Sequence, residues 1–132
     1  FSDGRFKENL KNDVPGLSFI MKLEPVTYNL NIHKLNEFKG IKDEKDWEGK
    51  YDIEKVKFSG FVAQDVEKAA IEIGYDFSGI DKSGVKDGDT YGLRYSDFTV
   101  PMVKAIQEQQ MLIEELKKEI ENLKKEMELL KK

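Results

Sequence analysis

For nucleophilic chemistry the composition leaves a serine with a lysine, Ser2 and Lys7, a pairing that any charged chain offers. A serine hydroxyl becomes a nucleophile when a lysine that has shed its own proton takes up the hydroxyl's. Five residues apart, they fall on opposite faces of a strand and about 140° apart on a helix. They meet only across a bend, for which Gly4 stands between them, or between subunits. Other nucleophile arrangements are poorly supplied, since with one His and no Cys both Ser-His and Cys-His schemes lack a thiol or a second candidate base. Lone His33, with no second His or Cys to share a metal, reads as a surface or strand-end residue. Asp81, Ser83, Asp87 and Asp89 invite a calcium-loop reading, but their spacing misses the EF-hand template and a solvated hairpin loop fits better. No metal site and no cofactor are expected.

The elements that must position the pair are short until the last quarter of the chain. Gly4 bends the opening segment, a polar stretch runs to Val14-Pro15-Gly16, and Leu17, Phe19, Ile20, Met21 and Leu23 make a turn or two of helix that Pro25 stops. Val26, Tyr28 and Leu30 alternate with polar residues as a half-buried strand. Residues 31–57 form a charged excursion centred on Lys42-Asp43-Glu44-Lys45-Asp46 and partly helical around Lys34 to Phe38. Its Trp47 and Tyr51 are expected to pack onto the domain, the alternative being an exposed contact patch for a ligand or partner. Phe58 to Val62 reads as a strand leading into a helix, Ala63 to Ile73, with Val66, Ala69, Ala70 and Ile73 on one face and Gly74 at its end. Tyr75 to Asp89 reads as loop, Thr90 to Tyr95 as strand, and Ser96 or Thr99 as the cap of a final helix.

From Met102 onward a period of 3.5 takes over. Ile106, Ile113, Ile120 and Met127 fall at heptad position a, and Met102, Gln109, Leu116, Leu123 and Leu130 at position d, with Gln109 the polar interruption. Glu119 and Glu126 at g face Lys124 and Lys131 at e of a parallel neighbour, which favours identical chains in register. Ile at a with Leu at d argues for two strands, while Leu112 at g widens the seam toward three. The competing arrangement is one amphipathic helix folded back on its own domain.

The totals agree with a small assembled module. A chain of 132 residues that spends about thirty on this helix leaves about one hundred for a domain that buries only about two thirds of its unfolded surface, so partner chains are expected to complete its core. The balance of 22 basic against 26 acidic residues gives a net charge of −4 with no basic patch, which argues against nucleic acid as a partner. No signal peptide and no apolar run long enough to span a bilayer are present, and no membrane partner is expected. The abrupt start at Phe1, within a polar segment, reads as a piece cut from the end of something longer.

Five ordered blocks then carry a resemblance. They are Ser2-Asp3-Gly4-Arg5-Phe6-Lys7-Glu8-Asn9, Pro25-Val26-Thr27-Tyr28, Gly60-Phe61-Val62-Ala63-Gln64-Asp65-Val66-Glu67, Tyr91-Gly92-Leu93-Arg94-Tyr95-Ser96, and Val103-Lys104-Ala105-Ile106-Gln107-Glu108 running into the heptads. In this order they resemble the intramolecular chaperone auto-processing domain, the endosialidase-chaperone type found at the C-terminus of phage tail spikes and fibres and in the myelin regulatory factor. The resemblance implies an α+β fold, a small mixed domain over 1–100 with 31–57 as a variable insertion, followed by a parallel trimeric coiled coil over 101–132. It implies a homotrimer that drives folding of an upstream fibrous β-rich passenger, in a virion tail fibre or at a bacterial surface, and then cuts itself free before the motif serine.

Here that bond is Phe1-Ser2, with Ser2 resembling the nucleophile and Lys7 the general base. Asp3 and Arg5 match motif positions with structural duties. Gln64 is a candidate oxyanion donor, or else a side chain capping the helix that follows it. A lysine pressed between subunits is desolvated and surrenders its proton more readily, so trimer closure is expected to switch on the base.

Overall fold

The computed structural model describes residues 1–42 and 44–132; Asp43, in the middle of the charged run, lies outside the described residues. The chain is a mixture of short helices, short strands and one long C-terminal helix. It divides into two units, one made of residues 1–21 with 98–132 and the other of residues 22–97.

In the first unit a four-residue helix, α1 (Leu17–Ile20), packs on the opening turns of α4 (Thr99–Leu130). At 32 residues, α4 is about 48 Å long. Gly is absent from it, and Pro101 sits in the first turn, where a backbone N–H would have no intrahelical partner. The sequence reading puts Ser96 or Thr99 at its cap, but the cap is Phe98 and makes no side-chain bond. A 3₁₀ turn, Tyr95–Phe98, runs directly into the helix, and Phe98 has helical φ and ψ rather than the extended backbone a capping side chain needs.

Phe19, fully buried, is pinned with Pro101 and Ala105 in the core of this unit. The Leu17 N–H donates to Glu108 Oε1 at 2.8 Å, so a carboxylate from α4 satisfies the first orphan donor of α1. Gly16 makes the approach possible. A Cβ there would collide with the Glu108 carboxylate and lie 2.7 Å from Ala105 N and 2.8 Å from the Lys104 carbonyl carbon. Backbone atoms cannot swing aside as a side-chain tip can. Gly16→Ala is therefore expected to cost about 3 kcal/mol, whereas Gly4→Ala, with nothing within 4 Å of the added carbon, changes stability by less than about 0.5 kcal/mol. Urea melts of the two variants check this, and equal midpoints would show that α1 is not seated on α4.

The second unit has two separate two-stranded antiparallel ladders. β1 (Val26–Tyr28) pairs with β2 (Phe58–Gly60) in the register Val26 to Gly60 and Tyr28 to Phe58, and those last two rings stack at 5.7 Å. β3 (Ile80–Asp81) pairs with β4 (Gly92–Leu93). β1 stops before the expected Leu30, which is exposed, because Asn29 turns its side-chain amide to the carbonyls of Glu54 and Val56. β3 begins inside the stretch read as loop, and β4 is shorter than Thr90 to Tyr95 because only Gly92 and Leu93 find strand partners.

Between β1 and β2, α2 (Ile32–Lys39) extends the helix expected at Lys34 to Phe38. Asn31 caps it by accepting from the Lys34 N–H at 3.0 Å, and Gly40 at φ +68° ends it in the left-handed conformation that glycine alone adopts without strain. α3 (Ala63–Glu72) follows β2 and buries Val66, Ala69 and Ala70 of the expected face, while Ile73 caps its end half-buried; Phe77 is also buried in this unit. His33 is the exposed surface residue expected, on α2 and not at a strand end, stacked on Tyr51 at 4.2 Å with Nδ1 3.0 Å from Glu54 Oε1.

Trp47 corrects the expected packing. It is 61 % exposed, and the Lys50 ammonium lies 4.8 Å from its ring centroid, whereas Tyr51 is half-buried.

Candidate functional site

Ser2 and Lys7 stand at the two ends of a single 3₁₀ turn, Gly4–Phe6, so the bend expected at Gly4 is real. The Phe6 N–H donates to the Asp3 carbonyl at 3.1 Å and the Lys7 N–H to the Gly4 carbonyl at 3.3 Å. Asp3 is the cap of this turn and Arg5 its clasp. The Arg5 backbone N–H and Nε donate to Asp3 Oδ1 at 3.0 and 3.1 Å, and Nη2 donates to Oδ2 at 2.7 Å. The Arg5 side chain, then its backbone N–H, hold the Asp3 carboxyl below the usual carboxylate range. Both charges face water, so the clasp sets the shape of the turn more than its stability.

The rings complete the arrangement. The Arg5 guanidinium lies 5.5 Å from the Phe6 ring centroid, and the Phe1 ring meets Phe6 edge-on at 6.4 Å. The residue before the candidate bond is thereby folded back across the turn. Ser2 and Lys7 are both exposed, and among the described residues no hydrogen bond or ion pair links them. The chain bends again at Asn9, which takes φ +56°, a left-handed conformation asparagine tolerates better than most residues.

Gln64 belongs to the other unit, in the first turn of α3. The cap of that helix is Val62, whose side chain makes no capping bond, and Gln64 stands past the cap as the second residue of the helix. Its side chain instead lines a shallow cleft with Tyr28, Phe61, Tyr91 and Tyr95. Tyr95 was missed by reading spacing alone: its hydroxyl accepts from the Phe61 N–H at 3.1 Å and would lie 2.5 Å from any Cβ at Gly60. The signal was the Gly60-Phe61 and Tyr95 pair of blocks, whose meeting only the fold reveals. Asp81, in the stretch that invites a calcium-loop reading, accepts from the Ser83 N–H and Oγ–H at 3.0 and 2.7 Å and sits 3.5 Å from Arg94, so its oxygens are already engaged.

The seam residues form a bare stripe on α4. Ile106, Ile113, Leu116, Ile120, Leu123, Met127 and Leu130 are all exposed, as is Gln109, and every residue from Gln109 to the end of the helix faces solvent. No helix among the described residues is long and apolar enough to cross a membrane.

The chain combines short strands, short helices and a long C-terminal helix, with an N-terminal turn held by the Asp3 and Arg5 clasp. The chain belongs to the chaperone of endosialidase family, also named as a peptidase family, whose model matches residues 2–75. The match takes in Ser2, the clasped turn, Lys7 and Gln64, and ends before α4. No curated protein and no solved structure matches the chain.

Proposed function

We propose that this protein is a C-terminal intramolecular chaperone that assembles as a parallel homotrimer, assists the folding of an upstream fibrous β-rich passenger, and releases itself by cutting Phe1-Ser2. Residues 1–100 form the auto-processing domain, with 31–57 as its insertion, and 101–132 the trimerisation helix. The observation that carries the reading is the clasped turn that presents Ser2 and Lys7 at its ends in a member of this chaperone family.

In the reaction, Ser2 Oγ adds to the Phe1 carbonyl carbon while its proton passes to the neutral amine of Lys7. The Phe1–Ser2 C–N bond then breaks as the Ser2 nitrogen takes up a proton. The acyl group is left as an ester on Oγ, which water hydrolyses to a carboxylate and the regenerated hydroxyl. Asp3 and Arg5 hold the turn, and Gln64 is the candidate donor to the oxyanion. Exposure of Ser2 and Lys7 in one chain supports a cut that waits for neighbours, since burial between subunits favours the neutral amine that a base requires.

The test is the wild-type chain fused to its native upstream segment. A released C-terminal fragment whose first residue is Ser2 is the expected result. A fusion that assembles yet stays full length would instead make the protein a trimerisation module that does not cut.

A further inference from the structure

The first three turns of α4 present three faces, and α1 covers one of them. At about 100° per residue, Val100, Val103, Lys104 and Gln107 cluster on one face, Pro101, Ala105 and Glu108 about 110° further round, and Met102, Ile106, Gln109 and Ile113 about 210° round. The second face carries α1, through buried Pro101 and Ala105 and the Glu108 bond to Leu17. The third is the open seam. The first is a groove of about 450 Å³, walled on its far side by Lys11, Asn12 and Val14 and floored by Val100 and Val103, which are 57 % and 49 % exposed.

In heptad terms α1 rides on the c and g flank, through Pro101 and Ala105, and the groove opens on the b and e flank, through Val100 and Val103. A parallel coiled coil sets the g flank of each helix against the e flank of the next, the pairing that Glu119 with Lys124 and Glu126 with Lys131 also requires. We propose that the Val100 and Val103 groove of each copy receives α1 of the neighbouring copy, with Met21 as the inserting side chain. Met21 closes α1, is 74 % exposed, and has the flexible apolar shape that fills an irregular groove. The contact is head-to-tail, and three copies close it into a ring.

This rests on the trimeric reading above and adds a route from assembly to cleavage. The wall made by Lys11, Asn12 and Val14 belongs to the segment that starts with Ser2 and Lys7. A neighbour's α1 seated in the groove presses that segment against α4 and so fixes the base of the reacting turn. The site is thereby incomplete until a second copy supplies α1.

The chain has no native cysteine, so Met21→Cys with Val103→Cys places two unique thiols. Treated with a short bismaleimide, this double variant is expected to run as covalent dimer and trimer on a denaturing gel, and each single variant to stop at or before dimer. Sedimentation of the untreated protein is the companion measurement. Trimers that give only single-chain bands, from linkage within one chain or none, overturn the groove contact while leaving the trimer standing. A lone chain in sedimentation overturns both. Val103→Glu supplies a second readout: it should sediment as a trimer, held by the heptads beyond it, yet process the upstream fusion at least tenfold more slowly. Processing of that trimer at the wild-type rate would also overturn the contact.

Discussion

Ile120→Asp is expected to convert the assembled protein to single chains and to abolish processing with it. Ile120 lies at position a in the middle of the stripe and is 51 % exposed on the isolated helix, so the substitution changes nothing inside one chain. In a three-stranded seam it brings three carboxylates into one apolar layer. Loss of the buried Ile side chain costs about 2 kcal/mol or more per chain. Each desolvated charge without a partner adds several kcal/mol more, which together exceed what a seam of this length retains. Lys118→Glu, at position f on the outside of the supercoil, is the control that should remain assembled. Sedimentation equilibrium of the two variants reads the result directly. An assembled Ile120→Asp would mean that the stripe is not the contact, and cleavage by single Ile120→Asp chains would sever processing from assembly.

The second large effect concerns the pair itself. Ser2→Ala in the upstream fusion removes the oxygen proposed to take the acyl group, and the fusion should assemble and remain wholly uncut. Lys7→Ala should slow cleavage by about 10² to 10⁴-fold, the usual contribution of a general base. Lys7→Arg separates base from mere charge, because a guanidinium keeps the positive charge and cannot lose its proton. Equal losses from Ala and Arg identify proton removal as the role of Lys7; substantial recovery with Arg would assign it an electrostatic one. Cleavage by Ser2→Ala would remove Ser2 from the mechanism.

The long helix was legible because its pattern is local and repeated: Ile106, Ile113 and Ile120 recur at a spacing that only a helix satisfies, and Gly and Pro are absent beyond Pro101. α3 was readable for the same reason, with Gly74 marking its end at φ +68°. What escaped was non-local. The bond from Leu17 to Glu108 spans 91 positions, and nothing in either segment announces the other. Alternation from Val26 to Leu30 predicts a longer strand than the Val26–Tyr28 that forms, because alternation says nothing about where a ladder loses its partner.

Trp47 shows a different failure, in which the tendency of large aromatic rings to be buried gave way to a Lys50 neighbour that keeps the ring at the surface. At the site, the bend at Gly4 could be anticipated. The clasp between Asp3 and Arg5 could not, since its two-residue geometry depends on the 3₁₀ turn that it closes.

The position of Trp47 also decides how this protein can be watched. It is the chain's one tryptophan, it stands in water beside an ammonium group, and it belongs to the charged stretch of residues 31–57 rather than to either packed core. Its fluorescence therefore reports on that charged stretch and is insensitive to the release of α1 or the parting of helices. Those events are better followed by helical circular dichroism, and a quencher that dims Trp47 in the free protein but not in a complex would reveal whatever comes to rest on that surface.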